Sequence, residues 1–304
     1  MTYEVTVVIP MYNRENYIGK TIESVLGQQF TNFKLLILDD SSTDSSVKVA
    51  KDHAKNDRRV EIVCVNKHMG HAKLRNYGNA LVETPYIAIM DSDDIMFPHR
   101  LSAQYNYMQE HPDVDILGGG YLAFGDAIEL CRPLALTNEE IQLCLLFRSS
   151  IVHGTAIMRK SIIEKNKVEY RENYLGSEDW AFWVDLIGKA KMANLNSILI
   201  KYRIGRQSQT VQVFNHLQVR QERKQVHRKI QSQAMKNLGL TLVPDDLDFF
   251  LKYYSLDYNG NFDADATERA NRLIVALTEQ IKSEKAASFF ETYAQRRKKY
   301  LKRL

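Results

Sequence analysis

The first third of the chain alternates short β-branched runs with segments whose apolar residues recur at helical spacing. Between the first two runs, for example, apolar residues return every three or four positions from Tyr17 to Leu26. Strands that alternate with helices form βαβ units, which assemble a mostly parallel sheet with helices on its faces. The chain is therefore predicted to have an α/β fold, with strands over residues 5–10, 34–40, 60–65 and 86–93.

Polar residues follow three of these four predicted strands directly, at positions 10–13, 39–42 and 91–94. In open α/β sheets, ligands bind outside the carboxyl ends of the strands. A binding pocket is therefore predicted at this edge of the sheet. The turn after the first strand, PMYNREN, lacks the glycine pattern of a dinucleotide-binding Rossmann fold, which argues against that class.

The last third of the chain differs in composition. After a strand predicted over 197–204, residues 211–304 show almost no strand signal and carry 17 Lys and Arg against 11 Asp and Glu, whereas residues 1–210 carry 24 against 26. A chain of 304 residues, 44% hydrophobic, is long enough for an α/β core of about 200 residues and a smaller module. We predict a sheet domain over 1–210 and a helical C-terminal domain over 211–304, joined near the polar segment 205–212. The second domain is expected to bind a substrate or to self-associate into a homo-oligomer.

The composition also argues against disulfide-rich, zinc-binding, secreted and membrane-spanning proteins. The three cysteines, Cys64, Cys131 and Cys144, lack metal-ligand spacing and a disulfide pattern, and Cys64 is expected to be a reduced core thiol. The sequence shows no secretory leader and no run of about eighteen apolar residues, which predicts a cytoplasmic protein without a membrane span. The basic end from Arg296 to Arg303 suits at most peripheral membrane contact, and it matches no nucleic-acid-binding module.

Two acidic motifs are candidates for catalysis. Asp91-Ser92-Asp93-Asp94 follows the fourth predicted strand, where carboxylates are held rigidly. Mg²⁺ and Mn²⁺ prefer oxygen ligands and share them with substrate phosphates, so this cluster is a candidate metal site. Taken alone, it also suits a solvated acidic turn in which Asp94 caps a helix. Glu178-Asp179 opens a predicted helix, a position that the helix dipole by itself would favour.

Four segments together resemble family 2 of the inverting glycosyltransferases, which have the GT-A fold. They occur in the family's order, span roughly residues 5 to 205, and comprise VVIPMYNRENYIGKTIESVLGQQF, LLILDDSSTD, NKHMGHAKLRNYGNALVETPYIAIMDSDD and GSEDWAFWVDL. The resemblance implies a GT-A catalytic domain that moves a hexose or N-acetylhexosamine from a nucleotide diphosphate sugar, chiefly a UDP-sugar. The acceptor would be a hydroxyl on a glycan, glycoprotein or lipid-linked saccharide, and acceptor binding is the substrate role expected for the helical domain over 211–304. A divalent metal, Mn²⁺ or Mg²⁺, is also implied.

The resemblance assigns roles to individual residues. Asp93 would bind the metal, Asp179 would be the general base, and Glu178 would shape the acceptor site. The nucleotide sugar would be bound by Pro10, Tyr12, Asn13, Asp39, Asp40, Gly70, Arg75, Asp91 and Ser92. A carboxylate such as Asp39 can accept the imide hydrogen of uracil or the hydroxyls of ribose. Trp180 is left open between a platform for the acceptor and a core residue.

One position departs from the family pattern. Many relatives have a histidine that helps to hold metal or phosphate shortly after the last conserved strand, where this chain has Gly205. Glycine has no ligating side chain, so Arg203, Arg206 and His153 are considered as replacements. Two other classes stay open on sequence alone. One is a nucleotidyltransferase that makes nucleotide sugars, although the first turn lacks its glycine- and arginine-rich loop; the other is a catalytically silent nucleotide-sugar-binding module.

Overall fold

The computed structural model describes residues 3–126, 128–174, 176–205, 217–254 and 263–301, with side chains except at 217–220 and 300–301. The strands are β1 (Val5–Met11), β2 (Phe33–Asp39), β3 (Val60–Cys64), β4 (Tyr86–Ile89), β5 (Ile95–Met96), β6 (Ile116–Gly125), β7 (Glu129–Cys131), β8 (Ile157–Arg159) and β9 (Met192–Ile204). The helices are α1 (Ile18–Leu26), α2 (Ser46–Ala54), α3 (His71–Leu81), α4 (Arg100–Glu110), α5 (Asn138–Cys144), α6 (Lys160–Asn166), α7 (Glu178–Asp185), α8 (Leu217–Leu238), α9 (Pro244–Tyr253), α10 (Ala264–Thr278) and α11 (Glu284–Leu301).

The strands of the described chain form one mixed sheet in the order β3-β2-β1-β4-β8-β6-β9-β5, with β7 paired to β6. The first four strands in this order are parallel, and so are β6 and β9. Strand β8 joins the two parallel groups through antiparallel pairing with β4 and β6. Because β1 lies between β2 and β4, the carboxyl ends of these three strands meet at one edge of the sheet. The predicted α/β fold is confirmed.

Helices cover both faces of the sheet, and alternate strand residues divide between two hydrophobic cores. In β1, Val5, Val7 and Ile9 enter the core that contains residues of α1, α2 and α4, whereas Val8 enters the core on the opposite face. All residues of β1 are buried. A parallel strand covered on both sides is apolar throughout instead of alternating, which explains the continuous run in the sequence.

Local sequence explains where several helices begin. Thr137 and Glu140 form a capping box at α5, in which the Thr137 hydroxyl accepts from the Glu140 amide at 3.4 Å and Glu140 Oε2 accepts from the Thr137 amide at 3.2 Å. The Asp263 carboxylate caps α10 by accepting from the Ala266 amide at 2.7 Å. Pro244 begins α9, where its fixed φ angle suits the first helical position.

The C-terminal helices pack into the same core as α3, α5 and α7. Phe147 is fully buried at this junction. Its ring centroid lies 6.0 Å from that of Phe250, 5.3 Å from Tyr254, 5.6 Å from Phe290 and 5.7 Å from Tyr293. These four rings belong to α9, the residue that follows it, and α11. The C-terminal helices therefore bury apolar side chains against the rest of the chain.

Helix α8 runs beside α7 in the same direction. At the start of α7, Ser177 is hydrogen-bonded to His227, with 3.0 Å between Oγ and Nε2. At its end, the Asn237 side-chain amide donates to the Val184 carbonyl at 2.8 Å. The C-terminal part of the chain thus helps to position α7.

Several predicted boundaries differ from the structure. The strand expected over 86–93 ends at Ile89, and the one expected over 197–204 already begins at Met192, where it pairs with β6. Cys64, expected in the core, is exposed because β3 is an edge strand. Residues 206–212 of the expected domain boundary, Arg206 among them, lie outside the described residues, as does the end of the basic segment at Lys302 and Arg303.

No helix in the described part of the chain combines sufficient length with a sufficiently apolar sequence to span a membrane.

Candidate active site

A cavity of about 550 Å³ opens at the carboxyl edge of the sheet. It is bounded by the ends of β1 and β4, the start of α3, the segment before β8, the first turn of α7 and helix α8. Seven of the twelve site residues expected from the sequence line it: Pro10, Arg75, Asp91, Ser92, Asp93, Glu178 and Asp179. The fold therefore brings the two acidic motifs, which are far apart in the sequence, to the same space.

Two carboxylates of the acidic cluster after β4, those of Asp91 and Asp93, line the cavity, and the third is buried. Asp91 Oδ1 accepts from the Arg75 guanidinium at 3.4 Å. Asp93 lines the cavity, where burial, and then the charge of Asp91, raise its pKa. Asp94 is buried, and its Oδ1 accepts from the Arg203 backbone amide at 2.8 Å. Asp94 therefore ties the cluster to β9, and the alternative in which it caps a helix is wrong.

A buried cation lies behind this cluster. Arg100 is fully buried and donates to the Ile89 carbonyl at 2.8 Å and to Gln104 Oε1 at 3.0 Å. Burial lowers its pKa to about 9, and the charges of Asp94 and Asp91 oppose that decrease. The guanidinium thus offsets part of the repulsion between the neighbouring carboxylates.

The chemistry of the cluster fits a divalent cation. Burial beside another carboxylate raises the pKa of Asp93, and a bound cation would favour its ionised form. Among the residues that the structure describes, no group of three or more His, Cys, Asp or Glu side chains is arranged to hold a metal by itself. Mg²⁺ is commonly bound through one or two carboxylates, with phosphate oxygens and water at the other positions. The donor set therefore suits a metal site shared with a phosphate ligand.

The first turn of α7 presents the second acidic pair to the cavity. Glu178 Oε1 accepts from the Gly176 amide at 3.0 Å, which stabilises the turn that precedes the helix. Asp179 lines the cavity, and burial raises its pKa although the Trp180 amide and Arg75 favour the ionised form. A carboxylate with a raised pKa is a stronger base than an ordinary aspartate, which suits proton abstraction near neutral pH.

Trp180 belongs to the core. Its side chain is 3% exposed, and the indole Nε1 donates to the Leu145 carbonyl at 2.8 Å. Its ring also packs against His227 of α8, with the centroids 5.3 Å apart. Of the two interpretations left open by the sequence, the structure thus selects the core residue over the acceptor platform.

The other five expected residues, Tyr12, Asn13, Asp39, Asp40 and Gly70, lie beside the cavity near the ends of β1 and β2 and do not line it. Asp39 is buried. Its Oδ2 accepts from the Ser42 amide at 3.1 Å, and its Oδ1 makes no hydrogen bond with any described residue. Asp40 accepts from the Met69 and Gly70 amides at 2.7 and 2.9 Å and so orders the segment before α3. Gly70 has a φ of 82°, a conformation that favours glycine.

Tyr12 and Asn13 connect the loops that follow β1 and β2. Tyr12 packs on His68, with ring centroids 4.3 Å apart. Asn13 Oδ1 accepts from the Thr43 amide at 2.8 Å, and its own backbone amide donates to Ser42 Oγ at 3.0 Å. Asn13 therefore joins two loops instead of capping α1, whose N-cap is Tyr17.

At the position of the missing histidine, Gly205 supplies no side chain, and Arg203 is a charged residue close by. Arg203 lines the cavity, and its Nε donates to the Asp93 carbonyl at 3.0 Å. His153 also lines the cavity, with its Nε2 3.0 Å from the Tyr170 hydroxyl. Burial lowers the pKa of His153 well below its ordinary range, so this ring is neutral at physiological pH. Arg203 is thus the better source of positive charge beside Asp93.

Other residues of the cavity wall were missed by sequence reasoning: Arg14, His71, Tyr121, Arg148, Tyr202 and Arg223. Arg14 directly follows the first motif, so its position at a strand end was an available signal. Arg223 comes from α8, and nothing distinguishes it in a helix that has a cation at every few positions. Only the packing of α8 beside α7 brings it to the site.

Comparison with known proteins identifies the family. The model of Glycosyl transferase family 2 matches residues 6–166, more than half of the chain. The chain is also 28% identical over 213 residues to the O-antigen biosynthesis glycosyltransferase WbnJ of Escherichia coli, a match that covers 67% of this chain and 81% of WbnJ. The chain belongs to glycosyl transferase family 2 and is a glycosyltransferase. The nucleotidyltransferase and silent-module alternatives are set aside.

Solved structures share the fold over nearly the whole chain. TarS of S. aureus, residues 1–349 in complex with UDP-GlcNAc, aligns with a TM-score of 0.67 and 18% identity, covering 97% of this chain and 88% of the TarS chain. The mannosyltransferase PcManGT from Pyrobaculum calidifontis, in complex with GDP-Man and Mn²⁺, aligns with a TM-score of 0.58 and 14% identity, covering 97% of this chain and 81% of PcManGT. These likenesses confirm the predicted GT-A fold with added C-terminal helices.

Proposed function

We propose that this chain transfers a hexose or N-acetylhexosamine from a nucleotide diphosphate sugar, specifically a UDP-sugar, to an acceptor hydroxyl with inversion at the anomeric carbon. The acceptor would be a glycan, glycoprotein or lipid-linked saccharide. The observation that carries the proposal is that Asp93 and Asp179 line one cavity from different elements. Asp93 would then hold the cation that neutralises the departing diphosphate, and Asp179 would accept the proton of the attacking hydroxyl.

The nucleotide would lie at the ends of β1 and β2. There, the buried Asp39 Oδ1 has no hydrogen-bond donor among the described residues. A buried acceptor without a donor costs free energy, which an N–H or O–H of a bound nucleoside would recover. The UDP-GlcNAc complex of TarS, which shares the fold, supports a uridine nucleotide.

The diphosphate would lie at the acidic cluster. Asp93 would hold Mn²⁺ or Mg²⁺, and such a cation neutralises the negative charge that grows on the leaving group. Arg75, paired with Asp91, and Arg203, bonded to the Asp93 carbonyl, add fixed positive charge to the same end of the cavity. The Mn²⁺ complex of PcManGT supports a divalent cation in this fold.

Asp179 would accept the proton of the acceptor hydroxyl as the oxygen attacks the sugar opposite the diphosphate. Displacement from that side in a single step inverts the anomeric configuration. Glu178, in the same helical turn, would contact the acceptor. The raised pKa of Asp179 supports this role, because burial makes the carboxylate a stronger base.

Replacement of Asp93 by alanine is expected to weaken UDP binding in Mn²⁺ about tenfold or more, since one charge-assisted contact is lost. Chelation of the metal should weaken binding to the wild-type protein by a similar factor. Isothermal titration calorimetry with UDP measures both effects.

The matched control for this experiment is Asp52→Ala. Asp52 is an exposed aspartate on α2, outside the cavity, and its loss should leave UDP affinity unchanged. Equal affinity in the wild type, in the Asp93 variant and in chelator would remove the metal from the mechanism. The arginines would then have to neutralise the diphosphate.

A further inference from the structure

A second cavity lies in the groove between α7 and α8. This α7–α8 groove has a volume of about 520 Å³ and is lined by Arg171, Tyr174, Ala181, Val184, Asp185, Arg228, Lys229, Ile230, Ser232, Gln233 and Lys236. Four of these side chains are cationic, whereas Asp185 is anionic. Among the described residues, none lines both the groove and the catalytic cavity.

Most of the positive charge in the groove is not neutralised by ion pairs within the part of the chain that the structure describes. Arg171 forms an ion pair with Asp185. Arg228, Lys229 and Lys236 form no ion pair with any residue that the structure describes. In addition, Arg228 Nε is shielded from solvent and makes no hydrogen bond within the described chain. A shielded donor without an acceptor costs free energy, which an anionic ligand would recover.

The groove follows the catalytic cavity along the same two helices. On α7, Asp179 lines the cavity and Asp185 lines the groove; on α8, Arg223 lines the cavity and Lys236 lines the groove. With a rise of 1.5 Å and 3.6 residues per turn, Asp185 lies about 9 Å beyond Asp179 along the axis of α7 and about 120° from it around that axis. An extended molecule whose end reaches Asp179 would therefore meet the cations of the groove by passing around α7.

We propose that the α7–α8 groove binds the acceptor as an anionic glycan chain, with phosphate or carboxylate groups in successive units. This inference rests on the proposed function and names the chemical class of its acceptor. The Arg228 guanidinium presents paired donors that match the paired oxygens of a phosphate or carboxylate, and Lys236 supplies a point charge about two helical turns further along α8.

Other polyanionic surfaces match the groove less well. Membrane surfaces bind cations flanked by exposed apolar side chains, whereas Ala181, Val184 and Ile230 of the groove are buried. Single-stranded nucleic acids require aromatic platforms, and Tyr174 is the one aromatic side chain among the described residues that line the groove. A groove of about 520 Å³ between two helices suits a segment of a single extended chain.

The test is the binding of two labelled polymers, polygalacturonate and inorganic polyphosphate, measured by fluorescence anisotropy at low ionic strength, with dextran as an uncharged polymer. We expect the wild type to bind a polyanion and not dextran, with an affinity that falls as salt is added. The double variant Arg228→Gln, Lys236→Gln should bind that polymer about tenfold or more weakly, because two charged contacts are lost. The polymer that binds more tightly distinguishes a phosphate chain from a carboxylate chain.

The matched control is Lys282→Gln, Lys285→Gln, which removes two exposed lysines outside the groove and should bind like the wild type. Melting temperatures establish that each variant is folded. Equal polymer affinity in the groove variant and the wild type, or equal losses in both double variants, would overturn the proposal. So would binding of phosphatidylglycerol vesicles without binding of either polymer. UDP affinity of the same wild-type sample tests the proposed function separately, so the two failures are distinguishable.

Discussion

Replacement of Asp179 by asparagine is expected to reduce the rate of sugar transfer about a hundredfold or more. Asparagine keeps the shape of the side chain but cannot accept the proton of the attacking hydroxyl. UDP affinity should change less than about twofold, because the contacts proposed for the diphosphate come from the other acidic motif. Steady-state kinetics with calorimetry of UDP binding separate the two effects.

The same residue should set the pH dependence of transfer. Burial raises the pKa of Asp179 above its usual value of 3.8. The base acts in its deprotonated form, so kcat/KM should rise with pH through this raised pKa and level off above it. The asparagine variant should lack that acidic limb.

Glu178→Gln is the matched control, since it changes an acidic side chain in the same turn that also lines the cavity. It should lose less activity and keep the acidic limb of the profile. An Asp179→Asn variant with a near-normal rate, or with the wild-type pH profile, would reject Asp179 as the base.

Removal of residues 206–304 is expected to prevent the remaining chain from folding, and UDP binding should be lost with it. Phe147 is fully buried against rings from the C-terminal helices, and truncation would expose it. Loss of a single large buried side chain costs about 3–5 kcal/mol, out of a total stability of about 5–15 kcal/mol. Thermal unfolding followed by circular dichroism measures whether a cooperative transition remains.

The Phe290→Ala variant tests the same packing in the full chain by removing one side chain. It should lower the free energy of unfolding of the full chain by about 3 kcal/mol or more, because it leaves a cavity beside Phe147. Val275→Ala is the control, since Val275 is 49% exposed on α10. A truncated chain that unfolds cooperatively and still binds UDP would show instead that residues 211–304 form a separate domain.

The sequence predicted the sheet well where a local pattern determines it. The expected strands over 5–10 and 34–40 are found as Val5–Met11 and Phe33–Asp39. Central parallel strands are buried on both faces, so their apolar runs are continuous and easily recognised. Strand order then places the polar residues that follow them at one edge. For this reason, the edge of the sheet that bears the cavity was also predictable.

Features that depend on distant parts of the chain were not predictable in this way. Strand β9 begins five residues before the expected strand because β6 pairs with it along its length, from Ile116↔Met192 onward. Arg223 reaches the cavity through the packing of α8 on α7, which no local pattern encodes. The hydrogen bonds that the Asp40 carboxylate accepts likewise come from backbone amides about thirty residues later, at Met69 and Gly70.

The anomeric configuration of the first product decides whether transfer proceeds by the direct displacement proposed here. Water can serve as the acceptor, so a UDP-α-sugar chosen from UDP-glucose, UDP-galactose, UDP-GlcNAc and UDP-GalNAc can be followed by time-resolved ¹H NMR in Mg²⁺, which is not paramagnetic. Attack opposite the diphosphate, assisted by Asp179, predicts that the β-anomer of the free sugar appears first and the α-anomer only later, by mutarotation. Initial release of the α-anomer would contradict inversion, and failure to release UDP from any of the four donors would contradict the proposed use of these UDP-sugars.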